Sequence, residues 1–157
     1  MTPHTVDDLR RAVRDVPNFP KPGIVFKDIT PVLLDAALFG SATERMAEPY
    51  RAVRISRVVC IESRGFLLGA PIALRLRAGL VPIRKPGKLP GATQRVEYAL
   101  EYGSDALEMH HDAIGADDRV LVVDDVLATG GTAKATAKLV EKLGGKVIGR
   151  ASCRERV

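Results

Sequence analysis

The segment RVLVVDDVLATGGTAKAT, residues 119–136, joins a run of branched apolar residues to two acids and two glycines. The apolar run predicts a buried strand, and the alanine-rich part predicts a helix. The loop between them would offer backbone N–H groups at the start of that helix, where glycines let an anion approach closely. Asp124 and Asp125 can accept hydrogen bonds from vicinal hydroxyls or face hydrated Mg²⁺. Together these features predict a site for a phosphorylated ribose.

This loop differs from the common nucleotide-binding patterns. Neither GxxxxGK[ST] nor GxGxxG is present, and Lys134 follows two residues after Thr132 with no Ser or Thr behind it. Thr129 and Thr132 would add hydroxyl donors to the anion site. The short GGT string alone is more often an ordinary helix start, whereas the complete string from the apolar run to Thr132 is far more specific.

Length and composition indicate one soluble globular domain. The chain has 157 residues, of which 46% are hydrophobic and 27% charged. No apolar run reaches the length of a membrane span, and the start MTPHTVDDLR lacks a signal pattern. We therefore expect a cytoplasmic protein without a membrane partner.

The formal charge of +5 allows either nucleic acid or a polyanionic small substrate as the partner. The basic residues are scattered and aromatic residues make up only 4%, which argues against a nucleic-acid surface. Cys60 is expected to be a buried apolar residue, and the adjacent His110 and His111 lack metal-ligand spacing. The sequence thus predicts no metal held directly by the protein.

Hydrophobic spacing predicts strands that alternate with helices. Thr5 with Asp8 and Ser41 with Glu44 resemble capping boxes at the starts of helices. Helices are predicted at about 6–15, 42–53, 63–78 (stopping at Gly79) and 132–143. Strands are predicted within 24–35 and at 57–62, 80–85, 95–103, 119–125 and from 146, with an irregular link at 16–23, a loop at 86–94 and a turn-like segment at 104–118.

This alternation predicts an α/β fold, a parallel twisted sheet with helices on both faces. Ligands of such sheets bind at the carboxyl ends of the strands, which is where residues 124–132 would lie.

The complete string VLVVDDVLATGGT resembles the signature of the type I phosphoribosyltransferases, which bind phosphoribosyl pyrophosphate. Four other segments resemble the adenine branch of that family: PNFPKPGIVFKDITPVLLD (17–35), IESRGFLLGAPIA (61–73), RKPGKLPGAT (84–93) and YALEYGSDALEMHHDAI (98–114). The resemblance covers about residues 6–149. It implies one phosphoribosyltransferase domain over 1–157 with a small N-terminal hood at about 1–35.

The resemblance implies that adenine displaces pyrophosphate from the ribose C1′ of phosphoribosyl pyrophosphate, giving AMP in purine salvage. It also implies Mg²⁺ carried by the substrate, a homodimer, and no nucleic-acid partner. Two alternatives stay open: a regulatory protein that binds phosphoribosyl pyrophosphate, and a phosphoribosyltransferase for another purine base.

By the same resemblance, each matching motif has a role in binding the sugar phosphate. Asp124 and Asp125 face the ribose hydroxyls, and Lys85 contacts pyrophosphate. The 5′-phosphate is held by Ala128, Thr129, Gly130, Gly131 and Thr132, and the pyrophosphate loop consists of Glu62, Ser63, Arg64 and Gly65.

The base would be held by the hood and a lid. Phe26 stacks on adenine, and the backbones of Val25 and Lys27 contact its edge. Glu101 handles the proton on the imidazole side as N9 attacks, which makes it the candidate catalytic residue, and Tyr102 packs over the site.

The ending RASCRERV, about residues 150–157, departs from the family, whose members continue through an apolar strand. Its polar residues do not suit a buried central strand. Our hypothesis is a truncation or a foreign sequence, with one strand of the sheet shortened.

Overall fold

A computed structural model describes residues 4–99, 103–127 and 130–155. The chain divides into two compact units, Met1–Arg45 and Met46–Val157.

The first unit combines three helices with a two-stranded antiparallel sheet. A capping box between Thr5 and Asp8 opens the first helix, as the sequence predicted. Residue pairs in the sheet run from Arg14 opposite Asp28 to Pro17 opposite Val25. The elements are α1 (Val6–Ala12), β1 (Arg14–Pro17), β2 (Val25–Asp28), α2 (Thr30–Leu34) and α3 (Ala36–Ala47).

Two local predictions are wrong in this unit. Val16 and Pro17 belong to β1 rather than to an irregular link, because a two-stranded sheet tolerates a proline at the end of an edge strand. The third helix begins before Ser41, because Oδ1 of Asp35 accepts hydrogen bonds from the N–H groups of Ala37 and Leu38 at 2.8 and 2.9 Å. Ser41 lies inside α3, and its hydroxyl donates to the carbonyl of His4 at 3.1 Å.

The second unit is built on a four-stranded parallel sheet with strand order β4-β3-β7-β8, as expected for the predicted fold. Helix α4 packs on β3 and β7, and α5 packs on β7 and β8. After a short 3₁₀ turn at Glu48–Tyr50, the elements are β3 (Arg57–Ile61), α4 (Arg64–Leu76), β4 (Gly79–Ile83), β5 (Thr93–Ala99), β6 (Ser104–His110), β7 (Arg119–Leu127), α5 (Gly131–Lys142) and β8 (Lys146–Glu155).

The core lies between this sheet and its helices. Val59 of β3, Ile83 of β4, Val120 of β7 and Leu139 of α5 are fully buried in one cluster. Gly69 of α4 faces the sheet so closely that an added Cβ would lie 2.6 Å from the Cβ of Cys60. Among the described residues, no helix combines the length and the apolar character that a membrane crossing requires.

Strands β5 and β6 form an antiparallel hairpin in register from Thr93 opposite His110 to Ala99 opposite Ser104. The turn-like prediction for 104–118 is therefore wrong over its first half. Leu107 and Met109 are buried on one face of β6, which is the alternation typical of a half-buried strand.

Two predicted element ends also differ. Helix α4 ends at Leu76 and is followed by Arg77, whose backbone is left-handed at φ 52°, whereas Gly79, the predicted stop, begins β4. Strand β8 continues beyond Gly149 in register with β7, so the expected shortening of this strand is wrong for the described residues. Because β8 lies at the edge of the sheet, Ala151, Ser152 and Cys153 are only partly buried.

Candidate active site

The predicted pyrophosphate loop follows β3, and the two acids predicted to face the ribose lie in the neighbouring parallel strand β7. Strand β3 ends at Ile61, and Cys60 pairs with Val123 of β7. The residues just after both positions therefore meet at one edge of the sheet, where ligands of parallel sheets bind. The structure brings together Glu62, Ser63, Arg64, Gly65, Asp124 and Asp125.

Gly65 marks the closest approach between these two segments. A Cβ atom added here would lie 3.1 Å from the carbonyl oxygen of Val123 and 3.4 Å from Oδ1 of Asp124. Close-packed interiors leave no room for such an atom without a shift of the first turn of α4. Glycine is needed at this position because two backbones are in contact.

An ion pair joins the two segments directly. The Nε atom of Arg64, the first residue of α4, lies 2.7 Å from Oδ2 of Asp125. Asp125 is 5% exposed, whereas the side chain of Arg64 is 39% exposed. The guanidinium therefore reaches from the surface of the site to a buried carboxylate, which it helps to neutralise.

Asp124 occupies a different electrostatic environment. Burial raises the pKa of its carboxyl from 3.8 to about 7, and the Asp125 carboxylate adds to that shift. The N–H of Asp125, which donates to Oδ1 of Asp124 at 2.9 Å, and the guanidinium of Arg64 act in the opposite direction. Near neutral pH the Asp124 carboxyl is protonated in part of the molecules, so its capacity to accept hydrogen bonds depends on pH.

The phosphate segment leads into helix α5. Gly130 precedes the helix with φ 80°, a backbone conformation that glycine adopts without strain. Gly131 and Thr132 begin the first turn. Gly130 is the N-cap residue, so within the described residues no side chain accepts a hydrogen bond from the first N–H groups of the helix. The first N–H groups of a helix lack partners within it and attract anions. Ala128 and Thr129, also predicted here, lie outside the described residues.

Glu62 is held by a residue that the sequence analysis missed. The guanidinium Nε of Arg84 donates to Oε2 of Glu62 at 2.9 Å, and the N–H of Glu62 donates to the carbonyl of Ile83 at 3.0 Å. Twenty-two positions separate Arg84 from Glu62, so no local spacing signals this contact. Arg84 thus links the end of β4 to the pyrophosphate loop.

Lys85 is bound to the β5–β6 hairpin. Its ammonium group forms an ion pair with Oδ2 of Asp105, and the hydroxyl of Tyr98 donates to the same oxygen at 3.3 Å. This contact lowers the pKa of Asp105 and raises the pKa of Lys85. The lysine predicted to contact pyrophosphate is therefore positioned by an acid that the sequence analysis did not select.

A second contact ties the segment after β4 to the same hairpin. Arg84 and Glu108 exchange two backbone hydrogen bonds of 3.0 and 2.8 Å, and the side chain of Glu108 accepts from the N–H of Gly87 at 3.1 Å. These bonds fix the start of the predicted loop 86–94 on strand β6.

The residues predicted to bind the base fall in two places. Val25, Phe26 and Lys27 lie on β2 of the first unit, where the ring of Phe26 meets that of Phe19 edge to face at 5.2 Å. The ammonium of Lys27 pairs with Asp15 across the small sheet. Glu101 and Tyr102 lie outside the described residues.

Comparison with known proteins points to the same family as the sequence motifs do. The phosphoribosyl transferase domain profile matches residues 42–154. The adenine phosphoribosyltransferase of Myxococcus xanthus is 64% identical over 144 residues, which cover 92% of this chain and 78% of that protein.

Solved structures agree with this match. The crystal structure of adenine phosphoribosyltransferase from Rhodothermus marinus superposes with a TM-score of 0.90 at 56% identity, covering 94% of this chain and 84% of that one. The Saccharomyces cerevisiae enzyme, crystallised with an imino-altritol bisphosphate and adenine, gives a TM-score of 0.91 at 40% identity, covering 96% and 88%. This chain belongs to the phosphoribosyltransferase family, in its adenine phosphoribosyltransferase branch.

Proposed function

We propose that this chain transfers the 5-phosphoribosyl group from phosphoribosyl pyrophosphate to adenine, giving AMP and pyrophosphate. The observation that carries the proposal is the contact between the two loops, the Arg64–Asp125 ion pair of 2.7 Å beside the Gly65–Val123 approach. A substrate with a diol and a pyrophosphate group needs acceptors and cations side by side, and this edge of the sheet offers both.

The sugar phosphate is assigned to β7 and the start of α5. Asp124 and Asp125 accept hydrogen bonds from the ribose hydroxyls, and the N–H groups around Gly131 and Thr132 hold the 5′-phosphate. The raised pKa of Asp124 and its position beside Asp125 support this assignment, because hydroxyl donors would replace the solvation that burial removes. Ala128, Thr129 and Gly130 complete the proposed phosphate loop.

The leaving group is assigned to the loop after β3 and to Lys85. Arg64 offers a planar set of donors that suits pyrophosphate, and Gly65 with Ser63 allows its close approach. Glu62 is oriented by Arg84, and Lys85 is paired with Asp105 until pyrophosphate replaces the acid. Negative charge builds on pyrophosphate as the bond to C1′ breaks, and cations already in position stabilise that charge.

Mg²⁺ is the metal proposed for this reaction. In the described residues, no three His, Cys, Asp or Glu side chains converge as a ready metal cage. The adjacent carboxylates of Asp124 and Asp125 fit a hydrated Mg²⁺ that arrives with the substrate, since this ion keeps several waters and is held by few carboxylates together with phosphates. When bound, Mg²⁺ neutralises the charge of pyrophosphate.

The base is assigned to β2 and to the segment after β5. Phe26 stacks on adenine, the backbones of Val25 and Lys27 contact its edge, Glu101 accepts the proton of the imidazole side, and Tyr102 covers the site. The half-buried ring of Phe26 and the exposed side chain of Val25, 41% accessible, support a role for β2 in binding.

Exposed leucines support the proposed homodimer. Leu67 and Leu74, on one face of α4, are 50% and 81% exposed, and Leu80 of β4 is 44% exposed. Light scattering after gel filtration should give twice the chain mass, and Leu74→Glu should shift the protein toward a monomer. A monomeric parent chain would refute this assembly.

A substrate assay tests the activity. The purified chain is mixed with phosphoribosyl pyrophosphate, Mg²⁺ and one base at a time, namely adenine, hypoxanthine, guanine or xanthine, and the nucleotide product is separated by chromatography. AMP should form much faster than any other product. Turnover with another base would favour the alternative purine enzyme, and binding of phosphoribosyl pyrophosphate without turnover would favour the regulatory protein.

A further inference from the structure

A second concave surface of the Met46–Val157 unit lies at the other end of the strands. It is a cleft of about 490 Å³ around the start of β3 and the start of β4. Its lining residues are Tyr50, Arg51, Val53, Arg54, Ile55, Ser56, Arg57, Arg75, Leu76, Arg77 and Gly79.

The cleft is distinct from the candidate active site. Arg57 opens β3 in the cleft, whereas Glu62 follows the end of the same strand in the pyrophosphate loop. At about 3.3 Å per residue, these two ends are roughly 16 Å apart. A ligand of the cleft would therefore bind without touching the proposed substrate site.

Charge is the main property of this cleft. Five arginines line it, and no acidic side chain occurs among its described lining residues. Arg51 pairs with Glu48 at 2.8 Å and Arg57 lies 3.7 Å from Asp118. Arg54 and Arg77 have no ion pair within the part of the chain that the structure describes, so the surplus positive charge of the cleft rests on these two residues. A concave surface with such a surplus concentrates anions.

Two further observations fit a built site. Gly79 leaves the space that the Arg57 stem occupies, because an added Cβ would lie 3.2 Å from its Cδ. Arg77 has a left-handed backbone at φ 52°, ψ 39°, where glycine is the favoured residue at the end of a helix. An arginine at such a position places a cation at the cleft at the expense of backbone strain.

We propose that this cleft binds a small anion carrying two or more phosphate groups. Guanidinium groups match phosphate oxygens with paired donors, and several arginines around one concavity suit a phosphoanhydride chain. A volume of about 490 Å³ lies in the range of small-molecule sites, so the ligand is an inorganic polyphosphate or a nucleoside polyphosphate. Tyr50 is the one aromatic residue among the described lining residues, so the cleft has no row of stacking platforms for a nucleic-acid strand.

Calorimetric titration with tripolyphosphate and with ATP tests the proposal and separates the two sources. Because these anions can also bind the proposed active site, their binding is measured in the Arg64→Ala background, which weakens that site. Arg64→Ala is compared with the same chain carrying Arg54→Gln/Arg77→Gly as well, which alters the cleft. A third variant, Arg10→Gln/Arg95→Gln, removes the same charge from exposed positions elsewhere, where these side chains are 76% and 52% exposed.

Tripolyphosphate should bind Arg64→Ala with one site per chain, and Arg64→Ala with the cleft substitutions added should bind at least about tenfold more weakly. Arg64→Ala with the charge-matched substitutions added should bind like Arg64→Ala alone. Tighter binding of ATP than of tripolyphosphate would assign the site to nucleoside polyphosphates, and the reverse to inorganic ones.

Two control measurements, the melting temperature and the AMP-forming turnover, distinguish a loss of anion binding from misfolding and from a failure of the proposed function. Arg77→Gly relieves the left-handed strain, so Arg54→Gln/Arg77→Gly in the parent chain should have a Tm about 2 °C higher than the parent. With Arg64 intact, this variant should also keep its AMP-forming turnover when no polyphosphate is added. Equal anion affinity in Arg64→Ala with and without the cleft substitutions would overturn the proposal, as would loss of affinity in the charge-matched control or binding of a DNA duplex alone.

Discussion

Nε of Arg64 and Oδ2 of Asp125 are 2.7 Å apart, so the first residue of α4 is paired with the second acid of β7. In the proposed function, this contact holds the donor for pyrophosphate beside the acceptor for the ribose diol before any substrate binds. Pyrophosphate would then compete with Asp125 for the guanidinium, and the sugar hydroxyls would take the place of the guanidinium on the carboxylate. One phosphoribosyl pyrophosphate molecule satisfies both partners at once, whereas pyrophosphate or ribose alone leaves one of them unpaired.

The Gly65→Ala variant tests how closely the two loops must approach. The added methyl group would lie 3.1 Å from the Val123 carbonyl oxygen, so α4 or β7 must shift by a few tenths of an ångström, which we expect to disturb the Arg64–Asp125 contact. We expect kcat/KM for phosphoribosyl pyrophosphate to fall at least about tenfold, which is roughly 1.4 kcal/mol of transition-state stabilisation.

Gly40→Ala is the matched control, because no atom lies within 4 Å of the Cβ added at this helical position. It should leave kcat/KM unchanged and stabilise α3 by about 0.5–1 kcal/mol. Full activity in Gly65→Ala would show that the approach of the loops does not matter.

The elements around this contact were predictable from the sequence. Residues 57–61 and 119–123 are short branched runs that a parallel sheet buries on both faces, and 132–142 has clear helical spacing. In these segments the motif and the hydrophobic periodicity predict the same boundaries, so the strands, the loops and the helix could be predicted from the sequence.

Other features depend on contacts that local spacing does not encode. Strand β6 was missed because its acid and histidines suggested a turn, although Leu107 and Met109 carry the alternation. Arg84 and Asp105 were missed because their partners are 22 and 20 positions away. Long-range polar pairs follow from the packing of the hairpin, which no single segment determines.

Asp124 should make stability depend on pH. Its pKa is raised from 3.8 to about 7, so between these values the folded chain binds more protons than the unfolded chain at this carboxyl. Stability contributed by this group is therefore present at low pH and is lost as the pH rises through about 7. Asp124→Asn should be more stable than the parent near pH 8, by about 2 kcal/mol once solvent screening is allowed for, and about equal near pH 4.

Urea unfolding at both pH values measures this difference. The same variant should bind phosphoribosyl pyrophosphate more weakly above pH 7, since an amide replaces the ionised acceptor of the diol. A variant that lost stability near pH 8 would contradict the burial of this carboxyl.

Asp105 should control how readily Lys85 meets pyrophosphate. The ion pair holds the ammonium on the hairpin, and exposed pairs of this kind contribute about 0.2–1 kcal/mol. Asp105→Asn should therefore lower KM for phosphoribosyl pyrophosphate up to about fivefold with little change in the KM for adenine. Lys85→Ala should raise the same KM. If Asp105→Asn raised it as well, the acid would aid substrate binding rather than compete with it.

If Glu101 transfers the proton, as proposed, its substitution should change turnover without changing the binding of the sugar phosphate. A general base acts only as the bond to N9 forms, so its removal should affect kcat and leave the equilibrium binding of phosphoribosyl pyrophosphate intact. We expect Glu101→Gln to lower kcat by about 10²-fold or more.

Glu97→Gln is its matched control, because Glu97 lies on β5 with a side chain 68% exposed and pairs with Arg95 at 3.0 Å. This variant should keep the turnover of the parent. Steady-state kinetics with adenine, together with calorimetric binding of phosphoribosyl pyrophosphate, distinguish the two glutamates. Equal kcat in Glu101→Gln and the parent would remove Glu101 from the mechanism, and loss of sugar-phosphate binding in that variant would assign it to substrate binding instead.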